Sequence, residues 1–192
     1  FALPSAAVKY ISQHLAENDS QKAKAVVARV LQIGFLASTV AFILLFIPAE
    51  LLSSLMFGTN NYALLLRLMA LCAIFTILNI EVSGFLQGMQ RMREVATLGL
   101  AYTIIHSSIG TYLLLMGWRL YAVVFAWLIG LAITSVTGFI LTAKYLGVFG
   151  KPCPIKPLLN FSLPLYISGS FGYFVTWVDQ LILASFTNLQ TL

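Results

Sequence analysis

Arg67, Glu81, His106 and Asp179 are the ionisable residues that fall inside long apolar stretches of this sequence. At the centre of a membrane helix such a group costs roughly 2.5–3.5 kcal/mol or more if it faces lipid, so each is expected to face other helices or water. At a rise of ~1.5 Å per residue, Arg67 lies about 9 Å and Asp179 about 12 Å from one end of their stretches. These opposite charges could pair. Glu81 and His106 lie about 15 Å and about 16 Å from a shared turn at the other end, and they too could meet. Plainer roles fit the same residues: an Arg67 that snorkels outward, a Glu81 bonded to a neighbour's hydroxyls, and a His106 that packs beside Ser107 and Ser108. Asp179 has Thr176 and Gly172 at i−3 and i−7, a small polar face suited to line a cavity. In the same stretch Pro164 removes an N–H donor and crowds the Asn160 carbonyl, so a bend is expected there. Pro164 and Gly172 are accordingly hinge candidates, although a passive kink fits equally well.

The sequence offers no catalytic constellation to set beside these groups. It has no Gly-rich phosphate loop, no nucleophile with a nearby base and no metal-ligand spacing. Cys72 lies mid-stretch and Cys153 in a Pro-rich loop, at depths that do not suit a disulfide. The chain is therefore expected not to be an enzyme and to carry no cofactor or metal.

The elements that hold these residues are five apolar stretches, near 27–48, 61–88, 95–117, 120–143 and 158–187. Each approaches or exceeds the ~20 residues that a helix needs to cross ~30 Å of hydrocarbon. In lipid the backbone must satisfy its own hydrogen bonds, so helices are the expected form. With 60% hydrophobic and 9% charged residues, the composition fits an all-α, polytopic membrane helix bundle. Nine of the eleven basic residues surround alternate connections: Lys9, Lys22, Lys24 and Arg29, then Arg91 and Arg93, then Lys144, Lys151 and Lys156. Basic loops stay cytoplasmic, which orients the bundle with 10–24, 89–94 and 144–157 inward. The net charge of +5 then reads as topology and attraction to anionic lipid, not as nucleic-acid binding.

Residues 1–16 read as the inner end of a preceding helix, and Asp19 or Ser20 can cap the next one. The stretch 147–157, rich in Pro, Gly and Lys, has linker composition and divides 1–146 from 158–192. Small residues recur at i+4 as Gly99, Thr103, Ser107 and Thr111, and as Ala126, Gly130, Thr134 and Gly138. Helices in lipid associate through such close approach, so both stripes are expected to face protein. Gly84 and Gly88 form a further small pair.

Five sets of segments stand out in order along the chain: Leu3-Pro4-Ser5-Ala6 with Asp19 and Ala23-Lys24, Leu55-Met56-Phe57-Gly58, Gly84 to Arg91, Asn160 to Leu165, and Trp177-Val178-Asp179-Gln180. Together they resemble polysaccharide flippases. The chain resembles helix two to helix seven of the polysaccharide branch of the multidrug/oligosaccharidyl-lipid/polysaccharide exporter superfamily. That resemblance implies a fragment of a two-lobe transporter of twelve to fourteen helices, in which 1–146 forms most of the first lobe, 147–157 a cytoplasmic linker and 158–192 the first helix of the second lobe. It implies alternating access and a lipid-linked glycan as substrate, in a multi-pass protein of the plasma or inner cell membrane. Membrane lipids and a coupling H+ or Na+ are the other partners it suggests. Asp179 matches an acid of that family, whereas Gln180 departs from the basic residue often found beside it. A cation-coupled drug antiporter of the same fold, and a membrane-embedded glycan polymerase or ligase, are the alternatives.

Overall fold

The computed structural model describes residues 2–148 and 150–186, with side chains except at Met56, Tyr173, Thr176 and 179–186. Among the described residues the chain is helical and contains no strand. Helix α1 spans Leu3–Ala16, with Pro4 in its first turn, where a missing N–H costs nothing. A tight turn follows, with Asn18 at φ 57. Asp19 then caps α2, Ser20–Phe46, by accepting from the backbone N–H of Lys22 at 3.0 Å. The Lys22 ammonium, 2.9 Å from the same carboxylate, and that backbone bond hold Asp19 below the usual carboxylate range.

Pro48 ends the run of α2 and precedes a short helix α3, Ala49–Phe57, where a connection was expected. Gly58 closes α3 at φ 69, a left-handed cap that glycine adopts without Cβ strain. A single 3-10 turn, Asn60–Tyr62, leads into α4, Ala63–Gly88. Helices α5, Met92–Leu115, and α6, Arg119–Tyr145, are antiparallel neighbours joined by a turn in which Gly117 has φ 86. The last helix, α7, covers Ile155–Phe186 and continues through Pro164. Helices α2, α4, α5 and α6 are each long and apolar enough to cross a membrane.

The packing follows the logic of a bundle whose solvent is lipid. Residues sealed inside are mostly small, such as Ala6, Ala7, Ala23, Ala122 and Ala126, while Phe35, Leu115 and Ile140 project outward, Leu115 being 84% exposed. Small interior residues bring backbones together where no hydrophobic drive between helices exists. Gly84 and Gly88 do this against α1: a Cβ on Gly84 would lie 3.0 Å from Pro4 Cβ, and one on Gly88 2.9 Å from Ile11 Cβ.

Of the two expected small stripes, one faces protein. Ala126, Gly130, Thr134 and Gly138 of α6 are all buried. Gly99, Thr103, Ser107 and Thr111 of α5 are all exposed. The row of α5 that meets α6 starts one residue earlier, at Leu98, Tyr102, His106 and Gly110. A Cβ on Gly138 would approach Leu98 Cδ1 to 3.1 Å, one on Gly130 would approach Tyr102 Cδ2 to 3.2 Å and His106 Cβ to 3.6 Å, and one on Gly110 would lie 3.5 Å from Ala126 Cβ. Large side chains from one helix thus fill the space left by small ones on the other. One residue is about 100° around a helix (3.6 residues per turn), enough to turn the α5 stripe off the contact.

The segment 147–157 is fastened to the first helices. Leu146, Val148 and Leu158 are buried in the cluster that α1 and α2 build with α4 and Leu98 of α5. The Cys153 N–H donates to the Ala25 carbonyl at 3.2 Å, and Arg29 Nε donates to the Cys153 carbonyl at 2.6 Å. Tyr10 donates its hydroxyl to the Pro157 carbonyl at 3.2 Å, while Lys9 Nζ sits 4.1 Å from the Phe161 ring centroid. Burial pushes the Cys153 thiol up, which leaves it a weak nucleophile.

Candidate functional site

Glu81 is the described residue whose setting is hardest to explain by packing alone. It lies on α4, seven residues before the helix ends at Gly88, so about 10 Å inside that end. Its side chain points at α2, where Gly34 leaves the space it occupies; a Cβ added at Gly34 would overlap the Glu81 carboxyl itself. The residue is 4% exposed. No hydrogen bond or ion pair joins its carboxyl to a described residue.

Two cavities meet at this carboxyl. One, of about 350 Å³, opens between α2, α4 and α6 and includes Phe35, Ser38, Val136 and Phe139. The other, of about 70 Å³, lies toward α1 and includes Leu3, Pro4 and Ile80. Gly34, Ile77 and Glu81 border both. The Ser38 hydroxyl, which borders the larger cavity, donates along its own helix to the Phe35 carbonyl at 2.9 Å instead of to the acid.

The other candidates are placed differently. Arg67 Nη2 donates to Glu50 Oε1 of α3 at 2.8 Å, and its guanidinium carbon lies 5.6 Å from the Phe46 ring centroid. Its Nε is buried without a partner. The side chain of Asp179, like that of Thr176, lies outside the described residues, so its expected neighbourhood with Arg67 has no counterpart among them. His106 stacks on Tyr102, with ring centroids 5.6 Å apart, over Gly130 of α6. Glu81 turns toward α2 while His106 lies against α6, and no contact joins them. Pro164 lies on the part of α7 that continues beyond the fastened segment, and Gly172 is exposed on the same helix.

Two polar partners were not singled out from the sequence. Glu50 reads there as part of an exposed connection, yet α3 brings it to Arg67. Asn79 donates from Nδ2 to the Thr134 hydroxyl at 2.9 Å, joining α4 to α6 within their apolar length. An amide at that depth was a usable signal, because intramembrane polar groups seek partners on other helices.

The sequence pattern of a family described as polysaccharide biosynthesis protein matches residues 1–192. The chain belongs to that family. As a member of the polysaccharide biosynthesis family it falls within the flippase and exporter superfamily that its motifs resemble. No match emerges among curated proteins or among solved structures. For a polysaccharide biosynthesis protein with these helices, membrane residence follows directly, as does a role in making or exporting polysaccharide.

Proposed function

We propose that the protein is a transporter, not an enzyme, and that it moves lipid-linked oligosaccharide precursors across the cell membrane by alternating access. The observation that supports this most is the family match over the whole chain, borne on helices of membrane length with short connections between them. A polymerase or ligase must hold a glycosyl donor and an acceptor beside an acid or base. Among the described residues the buried acid is Glu81, and the cavities beside it are lined almost wholly by apolar side chains. The linker fastened across α1 and α2 supports a first lobe that moves as one piece, with flexing left to α7 near Pro164 and Gly172.

Removal of the protein from cells that make it should leave lipid-linked precursor on the cytoplasmic leaflet and deplete the exported polymer. Normal export would oppose the reading. A cation-coupled drug antiporter of the same fold is the competing proposal, favoured by the unpaired acid in the first lobe. Raised drug sensitivity with normal polymer would support it.

A further inference from the structure

We propose that the cleft where α7 begins beside α1 and α2 binds an anionic phospholipid, its phosphate held by Lys9 and Lys156 and an acyl chain lying in the adjoining apolar slot. The site stands on geometry and charge and is independent of the transport reading.

Two cavities adjoin at this end of the bundle. An open cleft of about 610 Å³ is bordered by Tyr10 of α1 and by Lys156, Asn160 and Phe161 of α7. A second cavity, of about 410 Å³, passes Ala25 and Val26 of α2, Cys153 of the linker and Leu158 of α7. Tyr10, Pro154 and Pro157 border both. The wall between α1, α2 and the linker has its polar groups occupied: Tyr10 donates to the Pro157 carbonyl at 3.2 Å, and the Cys153 N–H to the Ala25 carbonyl at 3.2 Å. What these bonds leave along the second cavity is a slot suited to hydrocarbon.

The charge beside the cleft is uncompensated. Lys9 Nζ lies 4.1 Å from the Phe161 ring centroid and 5.4 Å from that of Tyr10, so the ammonium sits at the aromatic wall of the cleft. The described acids at this end are engaged elsewhere: Glu17 with His14 at 3.2 Å, Asp19 with Lys22 at 2.9 Å, and Glu94 with Arg91 at 3.7 Å. No ion pair joins Lys9 or Lys156 to an acid among the described residues. An anion between the two lysines would offset their mutual repulsion.

Depth selects the source of that anion. Lys9 lies seven residues before the end of α1, and Phe161 six residues after the start of α7, each about 10 Å inside its helix end. Helix α2 starts at the same end of the bundle and has 27 residues. It is therefore about 40 Å long, and overhangs a ~30 Å hydrocarbon core by about 5 Å on each side. Lys9 is thus rooted just below the headgroup layer, from which a long side chain reaches up to phosphates, while Lys156 stands in that layer. The basic-loop pattern turns this end to the cytoplasm, the side where basic pockets between helices take anionic headgroups. A free phosphate ion would use the lysines and leave the slot unfilled; a phospholipid uses both.

The test uses the protein reconstituted in phosphatidylcholine liposomes with a trace of phosphatidylglycerol that carries a diazirine in one acyl chain. A phosphatidylcholine probe with the same chain is the comparison, and adducts are located by peptide mass spectrometry after irradiation. Phosphatidylglycerol adducts should concentrate on residues 22–26 and 153–158. Lys9→Gln with Lys156→Gln should reduce them about 30-fold at trace probe, where yield follows affinity. Arg93→Gln with Lys144→Gln, the same change of charge on α5 and α6, should leave them unchanged. All four side chains are exposed, so neither pair disturbs the core. Equal yields from the two probes, equal loss in the two variants, or adducts only elsewhere would overturn the site. Suppression by inorganic phosphate would assign the lysines to a soluble anion. Suppression by an equal amount of polyprenyl-linked diphosphate oligosaccharide would make the cleft an entrance for transported glycan. Either would overturn the phospholipid assignment.

Discussion

Gly138 stands where three helices converge, and adding a single methyl group there should be felt by all of them. A Cβ at this position would overlap Val82 Cγ1 of α4 and approach Leu98 Cδ1 of α5 to 3.1 Å. Val82 is β-branched and sealed in the core, so it has no free rotamer into which to retreat. Overpacking of this kind costs about 1–3 kcal/mol. The better helix propensity of alanine returns up to about 1 kcal/mol. Gly138→Ala should therefore destabilise by about 1–2 kcal/mol, which for a chain of this size lowers the melting temperature by about 2–8 °C. Gly99→Ala is the matched control, because a Cβ there meets nothing within 4 Å; its melting temperature should be unchanged or slightly higher. The assay is thermal unfolding in detergent, read as the folded fraction surviving size exclusion. Val82→Ala in the Gly138→Ala background should restore part of the loss, since neighbouring sites couple. Equal behaviour of Gly138→Ala and Gly99→Ala, or no rescue, would refute the three-helix contact.

Asn79→Leu should cost about 0.6 kcal/mol, and at most about 1.7, in the same assay; a neutral or stabilising result would mean that the bond to Thr134 contributes nothing. Asp19 is held below the usual carboxylate range, so its capping contribution is present at neutral pH and is lost as pH falls through its folded-state pKa. Asp19→Ala should speed amide exchange in the first turn of α2 at neutral pH and match the unaltered protein in strong acid; a difference that persists in acid would contradict the cap. Cysteines introduced at Ser20, Glu94 and Gly150 should be shielded from an impermeant thiol reagent in intact cells, whereas one at Thr59 or Asn60 should react. External labelling at position 94 would reverse the orientation.

What could be read from the sequence divides along a physical line. Local chemistry was legible: the Asp19 cap, the end of the first apolar stretch at Pro48 and the membrane-length helices all depend on residues near in sequence. The α6 stripe was also legible as four small residues at i+4, a pattern that on α5 marks no helix contact. The α5 stripe misled because Leu98, Tyr102 and His106, one position earlier, look like ordinary bulk; only with α6 opposite do they become the side chains that fill its small positions. Depth estimates located Glu81 within the membrane but not its neighbour, since the space at Gly34 exists only once α2 and α4 are side by side. Arg67 illustrates the converse. Its partner among the described residues, Glu50, stands on a short helix read as a connection.

The transport claim is tested most directly by reconstituting the protein in liposomes that carry a fluorescent polyprenyl-linked oligosaccharide in both leaflets. A membrane-impermeant quencher is then added outside. The account predicts that quenching passes from the outer leaflet to the whole pool when the protein is present, because glycolipid from the inner leaflet is carried into reach. Quenching that stops at the outer leaflet, with the protein inserted and folded, would contradict it.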